Sequence, residues 1–334
     1  MITVENLTKS FHGDTGPVLA LENVTLEVPA GTITGVVGPQ GSGKSTLARL
    51  VSLQERPDSG VIRVEGYNTA ALDPRRLRAA RRRIGVVQHG DLLPQRTAAG
   101  NIAIPLEQAG IDGPQRRDRV GKLLDLIGLT DRAATYPDAL TPGQRARVSV
   151  ARALVGDPGL LLADDPTKGL DADATAGVLA VLDRARAELG STVLITTSDA
   201  GVVRRIADDV ALLSGGHVQE RGQLLSLIQD PNSQVAQTLL PEIDTVPAAG
   251  RHDRVAEVIL VGFAAVGALL PEAGARFDSA ISVVGGGLTR VGETPVARFL
   301  IGVNGARADA ALAWIAERGA LVHQPTATPH LQVA

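Results

Sequence analysis

The hydrophobic rhythm of the chain changes once, and the change divides it in two. Up to about residue 229, short continuous apolar runs alternate with longer stretches of helical periodicity. The runs at 32–37, 84–87, 160–163, 192–196 and 210–213 are the expected strands. Several are apolar at every position, as suits strands covered on both faces. Helices are expected at 44–53, 116–127, 144–154 and 172–189. This alternation predicts an α/β domain with a parallel-sheet core. Residues 230–254 then place Pro231, Pro241, Pro247 and Gly250 among polar side chains and read as a linker.

Beyond the linker the order becomes strand 255–261, helix 271–277, strands 281–284 and 296–303, helix 307–318 and a short strand at 321–322. That βαββαβ sequence is the split-βαβ, ferredoxin-like plan of small α+β ligand-sensing domains. The expected partition is 1–229, a linker 230–254, a second domain 255–324 and a tail 325–334. Gly285, Gly286, Gly287 and Gly292 are expected as turn residues around a hairpin, with a flexible ligand lid as the other reading.

Composition narrows the class. Of 334 residues, 44% are hydrophobic and 21% charged, a globular balance. With 36 acidic against 33 basic side chains the net charge is −3, which argues against a nucleic-acid partner. No cysteine is present, which removes disulfides, thiolate metal sites and cysteine nucleophiles. The opening MITVENLTKS lacks a secretory pattern, and the longest uncharged apolar run, 258–271, is too short to span a bilayer. A cytoplasmic, soluble chain is the expectation. Arg75, Arg76, Arg78, Arg81, Arg82 and Arg83 crowd one stretch, expected as the solvated face of a short helix.

Chemistry enters at residues 38–46, GPQGSGKST, which fit G-x-x-x-x-G-K-[ST] between an expected strand and an expected helix. The candidate nucleotide-binding residues are Gly38, Pro39, Gln40, Gly41, Ser42, Gly43, Lys44, Ser45 and Thr46. Glycines at 38, 41 and 43 allow a tight curl in which successive amides converge on one anion, and the helix that follows adds its positive dipole end. Lys44 reaches the β- and γ-phosphates, while the Ser45 hydroxyl is placed to hold Mg²⁺. The run at 160–165, LLLADD, ends in two carboxylates. Asp164 takes the Mg²⁺ side, and Asp165 is the candidate base that orients the attacking water.

The order of these motifs resembles the ATP-binding subunit of ABC transporters over essentially the whole chain. The resemblance implies a P-loop cassette with a helical subdomain, and ATP with Mg²⁺ as its ligands. Phe11 lies where that family stacks an aromatic on adenine. Gln88, in IGVVQ, resembles the Q-loop glutamine that touches Mg²⁺ and the lytic water. LTPGQ at 140–144, running into RARVSVARAL, resembles the signature motif, which implies nucleotide contacts for Thr141, Gly143 and Gln144. KGLD at 168–171 is similar to the D-loop and adds Asp171. The phrases LTKSFH, QHGDLLPQRT, ERP and VVRRIADDVALL resemble the methionine-importer ATPases. That group carries a C-terminal NIL (ACT-like) domain, whose last helix and strand ALAWIAERGALV resembles. The resemblance implies a homodimer on the cytoplasmic face of the membrane, beneath two membrane-spanning permease subunits and fed by an external substrate-binding protein. It also implies that the terminal domain binds methionine. A hydrolysis-deficient nucleotide-binding regulator with an amino-acid sensor is the alternative.

The chain departs from that family at four places. Asp165 stands where the family has glutamate, and Thr197 stands where a histidine bonds the γ-phosphate. Shortening the base by a methylene draws its carboxylate back, and general-base catalysis is worth about 10²–10⁴ in rate. Slowed hydrolysis is therefore expected. Pro142 brings no N–H to the signature motif; it is either a damaged phosphate contact or an ordinary first helical residue. The segment before Gln88 is one residue short.

Overall fold

The computed structural model describes residues 2–13, 16–87, 92–230, 232–243 and 252–323. It divides into two compact units, Met1–Gly222 and Gln223–Ala334.

The first unit is built on a six-stranded sheet. Its strands lie in the order His217–Gln223, Asp209–Ser214, Ile33–Val37, Thr192–Thr197, Leu160–Asp164 and Ile84–Val87. The last five of these run parallel. Successive side chains serve two cores, which is why the runs are apolar throughout. Leu161, Ala163, Val193 and Ile195 face a cluster with Ile102, Leu106, Leu179 and Leu182 from helices Ala98–Gln108 and Ala172–Leu189. Leu162, Leu194, Val36 and Leu213 face another that holds Leu47 and Leu50 of helix Lys44–Val51.

That second core is closed by an antiparallel sheet, ordered Gly16–Val28, Ile2–Gly13, Ser59–Val64 and Tyr67–Asn68. It has no counterpart among the expected strands. Its pairing slips between Val4 and Leu7, between Leu7 and Lys9, and between Lys9 and Ser10. Each slip interrupts the period of two that reveals a half-buried strand. The arginine run forms helix Pro74–Arg82, capped by the Asp73 carboxylate and burying no residue, as expected for a solvated face.

In the second unit, the four antiparallel strands Arg254–Val261, Ala280–Val291, Thr294–Asn304 and Leu321–His323 take the sheet order second, third, first, fourth. With helices Leu269–Phe277 and Ala308–Glu317 between them, this is the expected ferredoxin-like plan. Ala256, Val258, Leu260, Ile301 and Val303 pack with Leu312 and Ile315 on the helical face. The opposite face carries Glu257, Ile259, Arg298 and Leu300, which the register aligns. Arg298 donates to Glu257 at 2.7 Å and to the Pro241 carbonyl at 3.5 Å.

The glycine-rich stretch differs from expectation. Gly292, at φ +56°, lies between the paired strands as a hairpin turn residue, but Gly285, Gly286 and Gly287 lie within a strand, beside a register shift at 283–285. Their smallness has a use there. A Cβ on Gly286 would stand 2.0 Å from the Arg298 carbonyl oxygen, and Gly287 faces Pro241. On the same face, a Cβ on Gly302 would meet the His252 ring at 2.5 Å. The helices Leu224–Ile228 and Gln234–Leu239 fall in this unit as well, burying Leu224, Ile228, Val235 and Leu239.

Candidate active site

The parallel strands deliver their C-terminal ends to one edge of the sheet, the place where open α/β sheets bind ligands. Register aligns Val37 with Thr197, and Asp164 with Thr196. The chain leaves Val37 through Gly38. A Cβ there would stand 1.9 Å from the Leu213 carbonyl oxygen, so the loop can start along this path only with glycine. Gly41 and Gly43 follow at φ +78° and +103°, the left-handed region in which other residues are strained. Gly43 also packs against Ala20 and Leu21, where a Cβ would come within 2.5 Å of the Ala20 carbonyl oxygen.

Helix Lys44–Val51 begins at Gly43 with no side-chain cap. Its first amides therefore face the loop without a side-chain acceptor, an arrangement that suits an anion. Lys44 lies across the loop, with Nζ donating to the carbonyls of Gly38 and Pro39 at 2.7 Å each and to Ser42 Oγ at 3.4 Å. Burial pulls its pKa below the ordinary lysine value, while Asp165 and Asp164 pull the other way. Ser42 and Thr46 are buried, whereas Pro39, Gln40 and Ser45 are exposed at the loop surface.

Ser45 Oγ stands 3.4 Å from Asp164 Oδ1. The same carboxylate oxygen accepts the Thr196 hydroxyl at 2.5 Å. This donor set is all oxygen, as a hard cation requires. Among the described residues no group of three or more His, Cys, Asp or Glu side chains could hold a metal alone. The pair Ser45 and Asp164 therefore fits Mg²⁺ that completes its coordination with phosphate oxygens and water.

The two departures from the family pattern meet each other. Thr197 Oγ1 donates to Asp165 Oδ1 at 2.8 Å and accepts the Asp199 amide at 3.0 Å. Thr197 is fully buried, and its single hydroxyl proton is directed at Asp165. Asp165 itself sits at φ +51°, its amide bonded to the Thr196 carbonyl at 2.7 Å. Thr196 and Asp199 escaped the sequence reading. The signal for Thr196 was present, since a polar pair ending an apolar run points out of the sheet edge.

Phe11 lies close to two cations, with Lys9 Nζ 5.3 Å and Arg49 Cζ 5.7 Å from its ring centroid. Arg49 belongs to the helix that follows the loop, so the ring stands beside that helix. The signature residues are placed elsewhere. Thr141 caps helix Pro142–Leu154, and its side chain and that of Gln144 form a reciprocal capping box. Pro142 occupies the first helical position, the ordinary place for proline. Gly143 is a contact glycine: a Cβ there would be 2.7 Å from Ala174 Cβ. Asp171 caps the neighbouring helix by accepting the Ala174 amide at 2.7 Å. The cavity of about 420 Å³ that holds Ser45, Asp164 and Asp165 has none of Thr141, Pro142, Gly143, Gln144 and Asp171 in its described lining. Gln88 lies outside the described residues.

The chain matches the ABC transporter family over residues 21–168 and the NIL domain over residues 254–324. A methionine import ATP-binding protein of Thermobifida fusca is 43% identical over 325 residues, covering 97% of this chain and 99% of that protein. One from Symbiobacterium thermophilum is 41% identical over 326 residues, covering 96% and 98%. Among solved structures, a dimeric ATP-binding cassette in a post-hydrolysis state bound to ADP and Pi is 32% identical. It covers 67% of this chain and 98% of that one, with a TM-score of 0.61. A phosphate loop facing paired aspartates, a split-βαβ domain after it, and identity along nearly the full length together identify the chain as a member of the methionine import ATP-binding proteins of the ABC transporter family.

Proposed function

We propose that this chain is the ATP-hydrolysing subunit of an importer for methionine or a closely related amino acid. The observation that carries the reading is the joining, at one sheet edge, of an amide-lined loop, Lys44 and two carboxylates. The relatives favour transport over a hydrolysis-deficient regulator.

In this reading the residues at 38–46 hold the phosphates of ATP, Lys44 exchanging its loop carbonyls for phosphate oxygens. Phe11 takes the adenine. Ser45 and Asp164 hold Mg²⁺, which when bound neutralises phosphate charge. Asp165 orients a water for in-line attack on the γ-phosphorus. As the new P–O bond forms, the bond to the β,γ-bridging oxygen breaks, ADP departs, and the water's proton passes to Asp165 or a phosphate oxygen. Thr197 fixes the direction in which Asp165 points.

The nucleotide also needs a second copy. Thr141, Gly143 and Gln144 lie away from the cavity within one chain, which supports a dimer in which each signature helix closes the partner's site. The likeness to a dimeric cassette supports the same assembly. Among the described residues no helix is long and apolar enough to cross a membrane, so passage of the substrate falls to two permease subunits, with an external binding protein supplying it. The dimer works peripherally at the cytoplasmic face, and its NIL domain binds methionine.

Steady-state ATP turnover, measured beside ATP binding with Lys44→Ala as the blank, tests the reading. Turnover above the blank is expected. Tight binding with turnover equal to the blank would overturn the self-sufficient ATPase.

A further inference from the structure

Each of the paired aspartates receives a hydroxyl from the neighbouring strand. Thr197 donates to Asp165, and one residue earlier Thr196 donates to Asp164 Oδ1 at 2.5 Å. Side chains alternate along a strand, so the two threonines leave it on opposite faces. Leu162 and Leu194, two residues before Asp164 and Thr196, face the core that holds Leu47 and Leu50 of helix Lys44–Val51. Asp164 and Thr196 therefore emerge on the side of that helix, where Ser45 Oγ stands 3.4 Å from the same Oδ1. Ile195 faces the other core, and Thr197 continues its row.

Thr196 is a rigid donor and Asp164 a mobile acceptor. Thr196 is fully buried, aligned between Val36 of the strand that leads into the phosphate loop and Asp164 itself. Its carbonyl accepts the Asp165 amide at 2.7 Å. Asp164 is only half-buried, and the last torsion of an aspartate side chain is broad unless a partner fixes it. The Ser45 contact is long for a bond between hydroxyl and carboxylate, which usually spans about 2.5–3.0 Å. The Thr196 hydroxyl is the short bond, and it spends its single proton on Oδ1. The carboxylate is thereby fixed in one rotation and keeps the lone pairs of Oδ2 for a cation.

We propose, on the reading of Ser45 and Asp164 as the Mg²⁺ pair, that Thr196 is a positioning residue for the divalent cation. It holds Asp164 in the rotation that the cation requires, and it does so independently of Thr197, whose hydroxyl serves Asp165. A group that hydrogen-bonds a metal-binding carboxylate typically carries about 10–100-fold of metal affinity without touching the metal.

The full-length chain and its Thr196→Val, Thr196→Ala, Thr196→Ser and Thr197→Val variants are titrated with the non-hydrolysable imido analogue of ATP, once with Mg²⁺ and once with EDTA. The ratio of the two affinities reads the metal contact. In Thr196→Val and Thr196→Ala the affinity with Mg²⁺ is expected to fall about tenfold. The affinity in EDTA stays at the value of the unaltered chain, which a general loss of structure would not allow. Thr196→Ser restores the ratio, and Thr197→Val leaves it unchanged. Equal losses with Mg²⁺ and EDTA, an unchanged ratio, or the same fall in Thr197→Val overturns the role of Thr196 while leaving the nucleotide site standing. If the unaltered chain does not bind the analogue, the nucleotide reading fails first. If it binds equally with Mg²⁺ and EDTA, the Mg²⁺ pair fails, and the role of Thr196 fails with it.

Discussion

Asp165 occupies a backbone conformation that an L residue adopts at a cost, at φ +51°, and its carboxylate is tied to a buried threonine. Both facts bear on chemistry that depends on where one oxygen points. Replacing Asp165 by Asn keeps the size and the Thr197 hydrogen bond but removes the basic oxygen. Turnover is then expected to fall by about 10²–10⁴ while ATP still binds, as single-turnover kinetics and equilibrium binding can check. Thr197→Val keeps the shape and removes the hydroxyl. The Asp199 amide then loses its acceptor in a partly buried place, so Thr197→Val is expected to melt below Thr197→Ser, which keeps the bond. At this scale the sequence carries identities and the structure carries pairings. Lys44, Ser45, Asp164 and Asp165 were legible because motif spacing maps onto a strand–loop–helix turn. The bond between Asp165 and Thr197 was not, since it joins residues 32 apart through strand register. Nor was the reciprocal use of Thr141 and Gln144, whose side chains cap a helix.

Elements were legible where burial made them uniform. The parallel strands near 33, 84, 160, 192 and 209 are apolar because both faces are covered, and a composition signal suffices to find them. The antiparallel sheet at Ile2–Gly13 and Gly16–Val28 depends on alternation, which its register shifts break. Asp58 holds this sheet to the turn before Ser59–Val64. It accepts the Ser10 amide at 2.6 Å, the Ser10 hydroxyl at 2.7 Å and Lys9 Nζ at 3.2 Å. The hydrogen bonds from Ser10, hydroxyl first, with a further one from Lys9, lower its pKa to about 2. A depressed carboxylate contributes stability above its unfolded value of about 3.9 and loses it as pH falls through the folded value. The melting temperature is therefore expected to drop more steeply between about pH 4 and pH 2 in the parent chain than in Asp58→Asn. Between helices, Gly143 sets a contact in place of a turn. Gly143→Ala would drive a methyl to 2.7 Å from Ala174 Cβ, so helices Pro142–Leu154 and Ala172–Leu189 must part, at about 1–3 kcal/mol in thermal or denaturant unfolding.

At the scale of the whole chain, the sequence places a linker at 230–254, whereas compactness assigns everything from Gln223 onward to the second unit. The difference has a physical origin. Prolines and polar residues mark 230–254 as irregular, but irregular chain can still cover a surface. The sheet face bearing Glu257, Ile259, Arg298 and Leu300 receives Pro241, whose carbonyl accepts Arg298, and the His252 ring lies on Gly302. Ile259 and Leu300 are 4% and 6% exposed. A fragment starting at Gln223 keeps this cover, whereas one starting at Arg254 removes Pro241 and His252 and strips one partner from the Arg298–Glu257 pair. The shorter fragment is expected to melt lower, and to self-associate through the bared apolar positions, since a sheet buries both faces or seeks a partner for the open one. Thermal melts and sedimentation of the two fragments decide it. Equal melting temperatures with both fragments monomeric would mean that 223–253 is a tether, and that the functional boundary lies near 254 after all.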